Sequence, residues 1–160
     1  MNNKKLSSIE KVKQAIQDKG FSFRILELPD STRTAREAAD AIGCTVSEIA
    51  KSLIFRGTKT GKAVLVIASG TNRVDTQKVS QLVNEPIEKA DAEYIRSVTG
   101  FAIGGVPPVG HKNPLQTIID EDLLTYKTIW AAAGTPFSVF SLESHDLVNL
   151  TGGKPAAIKE

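Results

Sequence analysis

One lysine and one glycine–proline loop carry most of the chemistry this sequence offers. Lys51 follows Ile49-Ala50 and enters Ser52-Leu-Ile-Phe-Arg56, a run that reads as a strand. A strand beginning near residue 50 puts Lys51 on the face of Leu53 and Phe55. An ammonium among such groups needs an anion, a carbonyl or a water-filled pocket, because an unpaired buried charge is costly. A strand beginning slightly later leaves Lys51 in solvent at the rim, and the pattern allows both. The loop is Gly100-Phe-Ala-Ile-Gly-Gly-Val-Pro-Pro-Val-Gly-His111, rich in glycine and proline yet otherwise mostly apolar. Surface turns are usually polar, so this segment is expected to lie against the interior. Pro107 and Pro108 fix φ and remove their own donors. The N–H groups of Gly104, Gly105 and Val106 are then left to face a carbonyl or a developing oxyanion. The alternative is a tight crossover between strands, with small residues serving packing.

Other candidates carry less. His111, after Gly110, can act as acid, base or donor to a substrate, or simply bond backbone. His145, in Glu143-Ser-His-Asp146, falls in the first turn of an expected helix and suits a capping or surface role. No Ser-His-Asp triad follows from these neighbours, since triads assemble from distant segments. Asp75 and Asp146 read as helix-end residues. Cys44 reads as a small half-buried residue, because buried thiols are usually inert. The run Asp120-Glu-Asp122 reads as a solvated helix start in preference to a metal site. Gly57-Thr-Lys-Thr-Gly-Lys62 misses the phosphate-loop register, with Ala63 where Ser or Thr is required. It reads as a basic hairpin turn.

The elements that must position these residues follow from capping and periodicity. Ser7-Ser-Ile-Glu10 is a capping box, and Ile9, Val12 and Ile16 recur at helical spacing until Gly20. Phe21–Leu28 alternates as a strand, ended by Pro29-Asp30. Thr34-Ala-Arg-Glu37 opens a short helix closed by Gly43, and Thr45-Val-Ser-Glu48 opens a briefer one. Strands 51–56 and 62–69 pair as a hairpin. Ser69-Gly-Thr-Asn-Arg-Val-Asp75 is a polar turn, with Asp75 capping a helix to about Val83. Asp91 caps another, to Val98. Strands are expected at Leu115–Ile119, Lys127–Ala133 and Phe137–Phe140, and a last helix starts at Ser141 or Ser144 and ends at Gly152-Gly153. This order is no regular βαβ series. It indicates an α+β fold: a mixed, largely antiparallel, barrel-like sheet flanked by short helices.

Composition narrows the function. With 160 residues, 41% hydrophobic and 24% charged, the chain is expected to form one domain, 1–160, without disorder or a membrane span. No apolar run reaches transmembrane length, and the polar N-terminus lacks a signal-peptide core, so a cytoplasmic protein is expected. One Cys and two His argue against a zinc site, and no metal is expected. Net charge is +2, yet residues 1–80 carry 14 basic against 8 acidic groups and residues 81–160 carry 6 against 10. That asymmetry permits a basic patch for a polyanion. Aromatics at 6% disfavour a base-stacking sheet.

Taken together, three stretches resemble the YbaK/ProX family of free-standing aminoacyl-tRNA deacylases, related to the editing domain of bacterial prolyl-tRNA synthetases. They are Ile49-Ala-Lys-Ser-Leu-Ile-Phe55, Ser69-Gly-Thr-Asn-Arg-Val-Asp75 and Gly104-Gly-Val-Pro-Pro108, in that order and separation. The likeness extends to Leu147–Gly153. It implies hydrolysis, without metal or cofactor, of the ester joining a wrong amino acid to the 3′ end of tRNA. It further implies that Lys51 is the functional lysine. Gly104, Gly105, Val106, Pro107 and Pro108 would hold the acyl carbonyl, with Ser52, Ser69, Asn72, Gly110 and His111 completing the substrate-binding set. Ser52 stands where many relatives carry Thr or Asn, so the amino acid removed is left open. The expected partner is the acceptor end of aminoacyl-tRNA, with a synthetase as a possible second. The alternatives are a non-catalytic module that binds the aminoacyl end or a synthetase, and an enzyme for another small acyl ester or amide.

Overall fold

The computed structural model describes residues 6–29 and 34–160. The polar N-terminus (1–5) and the turn residue Asp30 lie outside the described residues. The strands are β1 (Ile25–Glu27), β2 (Ile49–Gly57), β3 (Ala63–Ser69), β4 (Ile87–Lys89), β5 (Gln116–Asp120), β6 (Thr128–Ala132), β7 (Ser138–Glu143) and β8 (Lys154–Ala156). The helices are α1 (Ser8–Asp18), α2 (Ala35–Ile42), α3 (Thr76–Val83), α4 (Ala92–Thr99) and α5 (Asp146–Thr151). All strands join one mixed sheet in the order β1-β7-β6-β2-β3-β5-β8, with β4 on β2. Antiparallel pairs are β1–β7, β2–β3, β2–β4 and β6–β7; parallel pairs are β2–β6, β3–β5 and β5–β8. The α+β class and mixed sheet are as expected.

Both faces of the central hairpin are covered, which is why 62–69 reads as an almost unbroken apolar run. Ala50, Ile54, Leu65 and Ile67 face the main core with Ile119, Ile129, Phe140 and Leu147. Phe55, Val64, Val66 and Ala68 face a second cluster with Val79 of α3 and Ile158. The helix starts behave as their caps dictate. Ser7 accepts from Glu10 N at 3.2 Å, Thr34 from Glu37 N at 3.0 Å and Asp91 from Tyr94 N at 2.7 Å. Thr45-Val-Ser-Glu48 gives one 3-10 turn, in which Glu48 accepts from Thr45 N at 2.9 Å.

Two expectations change, one alternative is decided and two short strands are added. The first strand shortens to β1, because Phe21 stacks on Phe23 and Phe23 on Phe140 instead of joining a ladder. The last helix follows Ser144, since Ser141 is held in β7 opposite Trp130. β4 and β8 form without an alternating pattern of their own, as short strands recruited by β2 and β5. Asp120, read as solvated, is buried at the end of β5.

Candidate active site

Lys51 lies in β2 with a continuous register from Ala50↔Ser69 to Arg56↔Ala63. The strand therefore starts early enough to put the lysine on the face of Leu53 and Phe55. It is half-buried. Burial holds its ammonium below the ordinary lysine pKa, and the Asp120 carboxylate opposes that shift. Two adjoining hollows of about 860 and 510 Å³ meet at this point and share Lys51, Ser52, Leu53, Ile103, Gly104 and Val106. Each is within the size of a small-ligand pocket. The first continues toward Arg73–Gln77, Lys89 and Glu160. The second continues toward the start of α2, with Arg36 in its lining and Ala131 and Ala132 of β6 beyond.

The loop after α4 lies against the interior, as its composition implies. Phe101, Val106 and Val109 are buried in the main core, and Pro107 and Pro108 are buried beside them. Thr99 fixes its entry by accepting from Phe101 N at 3.0 Å, and Lys112 N returns to Thr99 O at 2.9 Å. Gly104 has φ 88°, a conformation that favours glycine. Gly104 and Val106 face Lys51 across the hollow. Gly105 does not line either hollow, which corrects its expected role as a donor to substrate. Its N–H donates to Ala102 O at 3.0 Å, and a Cβ there would meet Thr135 backbone at 2.8 Å. This residue is small so that the loop can touch the β6–β7 connection.

The other expected site residues divide. Ser52 forms part of the cavity wall, and its Oγ is buried without a hydrogen-bond partner among the described residues. Pro108, Gly110 and His111 line a separate hollow on the far side of the loop. There His111 Nε2 donates to Pro107 O at 2.7 Å, and burial holds the imidazole below its ordinary pKa, so the ring latches the loop in its neutral form. Ser69 and Asn72 support the site from behind. Ser69 N donates to Asp120 Oδ2 at 3.1 Å, its Oγ donates to Ser47 O at 2.6 Å, and Asn72 Nδ2 bridges Asp120 and Asp122 at 2.8 Å each. His145 is exposed, 3.3 Å from Glu143 and 3.4 Å from Asp146, as a surface histidine should be. Cys44 is half-buried and burial pushes its thiol pKa up, consistent with an inert role.

Asp120 is the buried charged group beside the candidate site that sequence reading missed. Its carboxylate accepts Ser69 N, Asn72 Nδ2 and, at 3.0 Å, Asp122 N, and its charge acts on Lys51 through space. The available signal was its place directly after the apolar pair Ile118-Ile119.

A half-buried cation facing a backbone-rich loop across a small-ligand cavity is an arrangement that can bind and polarise a carbonyl group. The chain belongs to the aminoacyl-tRNA editing domain family, whose sequence model matches residues 29–150. A crystal structure of a candidate trans-editing enzyme for prolyl-tRNA synthetase is 49% identical, superposes with a TM-score of 0.90, and is matched over 98% of this chain and 99% of its own. The candidate Cys-tRNA(Pro)/Cys-tRNA(Cys) deacylase EbsC of Enterococcus faecalis is 29% identical over 126 residues, 78% of this chain and 76% of that protein. A proline–tRNA ligase of Bacillus licheniformis is 31% identical over 119 residues, 71% of this chain and 20% of the ligase. The expected family and fold are thereby established.

Proposed function

We propose that this protein is a trans-editing deacylase that hydrolyses the ester between a small non-cognate amino acid and the 3′ end of a tRNA, tRNA-Pro being the first candidate. The observation that carries the reading is Lys51 facing Gly104 and Val106 across a cavity that continues on both sides. One end then takes the amino acid and the other the terminal nucleotide. Kinship with the deacylase and ligase sequences supports the substrate class. An aminoacyl ester is already activated, so orientation and charge stabilisation carry much of the rate. The acyl carbonyl lies between Lys51 and the Gly104–Val106 backbone. The oxygen of water, or a group of the substrate itself, adds to the carbonyl carbon, and Lys51 and loop dipoles steady the resulting oxyanion. Collapse breaks the bond to the ribose oxygen, which takes a proton. With water, the products are the free amino acid and uncharged tRNA.

The lining of Ala and Val side chains selects by size. A missing methylene discriminates by only about 10–200-fold, so a second sieve is useful for small amino acids. Arg36, Arg73 and Lys89 at the cavity ends supply positive charge for acceptor-strand phosphates, which makes binding salt-dependent. No helix among the described residues is long and apolar enough to cross a membrane, and we place the activity in the cytoplasm, where tRNA is charged. The experiment is deacylation of a panel of mischarged tRNAs by the parent and by Lys51→Ala. Hydrolysis of at least one small-amino-acid tRNA, lost in the variant, supports the reading. Tight binding with no hydrolysis makes the protein a carrier, and hydrolysis of free esters alone makes it a general esterase.

A further inference from the structure

β2 changes partner along one edge. It pairs β6 through Ile49 and Ala50, and β4 through Phe55, Arg56 and Gly57. Between them, at residues 51–54, no strand continues the sheet among the described residues. The hollows open at this gap, since both are lined by Lys51, Ser52, Leu53 and, in the larger, Ile54.

Three hydrogen bonds fix which backbone groups face the gap. Gly57 N donates to Lys62 O at 2.9 Å and Gly70 N donates to Ile49 O at 2.8 Å, both on the β3 side. Ala90 N donates to Ile54 O at 3.4 Å on the opposite side, just beyond β4. In an antiparallel ladder a residue sends both its N–H and its C=O to one side, alternately along the strand. Odd-numbered residues of β2 therefore bond to β3, and even-numbered ones face the other edge. Ala50 meets β6, Arg56 meets β4, and Ile54 O is taken by Ala90. Ser52 alone presents both its N–H and its C=O to the gap.

We propose that Ser52 pairs with the aminoacyl group as though that group were the next residue of the sheet. An L-aminoacyl ester in extended form carries the same N–Cα–C=O unit as a strand residue. Its α-ammonium donates to Ser52 C=O, and its ester carbonyl accepts from Ser52 N–H. This is strand addition reduced to one residue. The pairing presents the carbonyl beside Lys51 and opposite Gly104, so Ser52 N–H joins the groups that steady the oxyanion. It also confines the site to α-amino acyl groups, while the cavity walls choose among side chains. The inference rests on the deacylase reading above and supplies its mode of substrate recognition.

The test uses the full chain and one tRNA that it deacylates, charged with alanine or with lactate, the α-hydroxy counterpart. Rates are divided by the spontaneous hydrolysis of each ester. In a second arm Ser52 is replaced by its α-hydroxy acid analogue, which deletes the N–H, and the control is the same replacement at Val66, whose N–H belongs to the β2–β3 ladder. Loss of a charge-assisted bond predicts kcat/KM at least about tenfold lower for the lactyl ester. The Ser52 analogue loses about tenfold in kcat/KM, with a smaller drop in Tm than the Val66 analogue, which keeps its kcat/KM within about threefold. Equal normalised rates on the two esters, or a Ser52 analogue as active as the parent, overturns the pairing and leaves the deacylase intact. Failure to deacylate any mischarged tRNA overturns both.

Discussion

Replacing Asp120 by Asn should shift the pH range in which the protein works. Asp120 is 1% exposed and accepts three hydrogen bonds, from Ser69 N, Asn72 Nδ2 and Asp122 N. Its negative charge raises the pKa of Lys51 against the lowering effect of burial. The sign follows directly: deleting the charge removes the raising influence, so the ammonium loses its proton at lower pH. An opposite charge close by favours the charged form of a titratable group. Lys51 is only half-buried and makes no direct ion pair with Asp120, so solvent screening keeps the effect small. Activity that needs the charged lysine must then fall off at lower pH on the alkaline side. Asn also sets its own N–H groups against one of the three donors. A buried mismatch of that kind costs about 1–3 kcal/mol, or several degrees in Tm for a chain of this size. The assay is kcat/KM against pH for a mischarged tRNA, after subtraction of spontaneous hydrolysis, well below the Tm of the variant. An alkaline limb that stays in place, or moves to higher pH, would falsify the electrostatic link between these residues.

Three further outcomes are expected. Lys51→Met should lower deacylation at least about 100-fold without lowering Tm. The folded-state pKa of Lys51 is depressed, so its favourable contribution is present only above the unfolded lysine pKa and is lost as pH falls through the folded value; a marked fall in Tm at neutral pH would contradict this. Gly105→Ala should destabilise by about 1–3 kcal/mol and reduce activity, because the new Cβ meets Thr135 backbone at 2.8 Å. Unchanged chemical denaturation would show that the loop and the β6–β7 connection yield freely. His111→Phe should cost about 1 kcal/mol at neutral pH by removing the bond to Pro107 O. The pKa of His111 is depressed below its usual value, so that contribution is present above about pH 6.5 and lost as pH falls through the folded value. A stability difference from the parent that persists undiminished in acid would exclude the latch.

What the sequence made legible was local. Caps at Ser7, Thr34, Asp75 and Asp91 announced themselves because the side chain that ends the preceding segment is also the one that bonds the new helix. The β2–β3 hairpin was legible from one apolar run and a glycine-containing turn. Lys51 was visible as a candidate through parity with Leu53 and Phe55. The loop was visible through a composition that no solvent-facing turn would carry. What stayed hidden depends on residues far apart in the chain. Gly105 looked like a donor until Thr135 was placed against it. Asp120 looked solvated until Ser69 and Asn72, some 51 and 48 residues earlier, were brought to its oxygens. Glu85 gave no sign that it would cap the 58–61 turn, where it accepts Lys59 N and Thr60 N at 3.0 Å each.

The gap in β2 is the deepest of these hidden features, because it is a property of pairing and has no residue type of its own. A strand of nine residues that met one full-length neighbour would bury every backbone group of Ser52. Here pairing with the parallel partner stops at Ala50↔Ala131, and pairing with the antiparallel one reaches back only to Phe55↔Lys89. The intervening edge can neither be closed by the sheet nor left in an apolar interior, since buried N–H and C=O groups need partners. A cavity reached by a polar substrate resolves that conflict. The glycine–proline loop then stands across the opening where another strand would have run, its prolines unable to donate and its packing against Thr135 keeping it there. The site is thus a place where the sheet is incomplete by one strand segment, and the aminoacyl group supplies the missing residue.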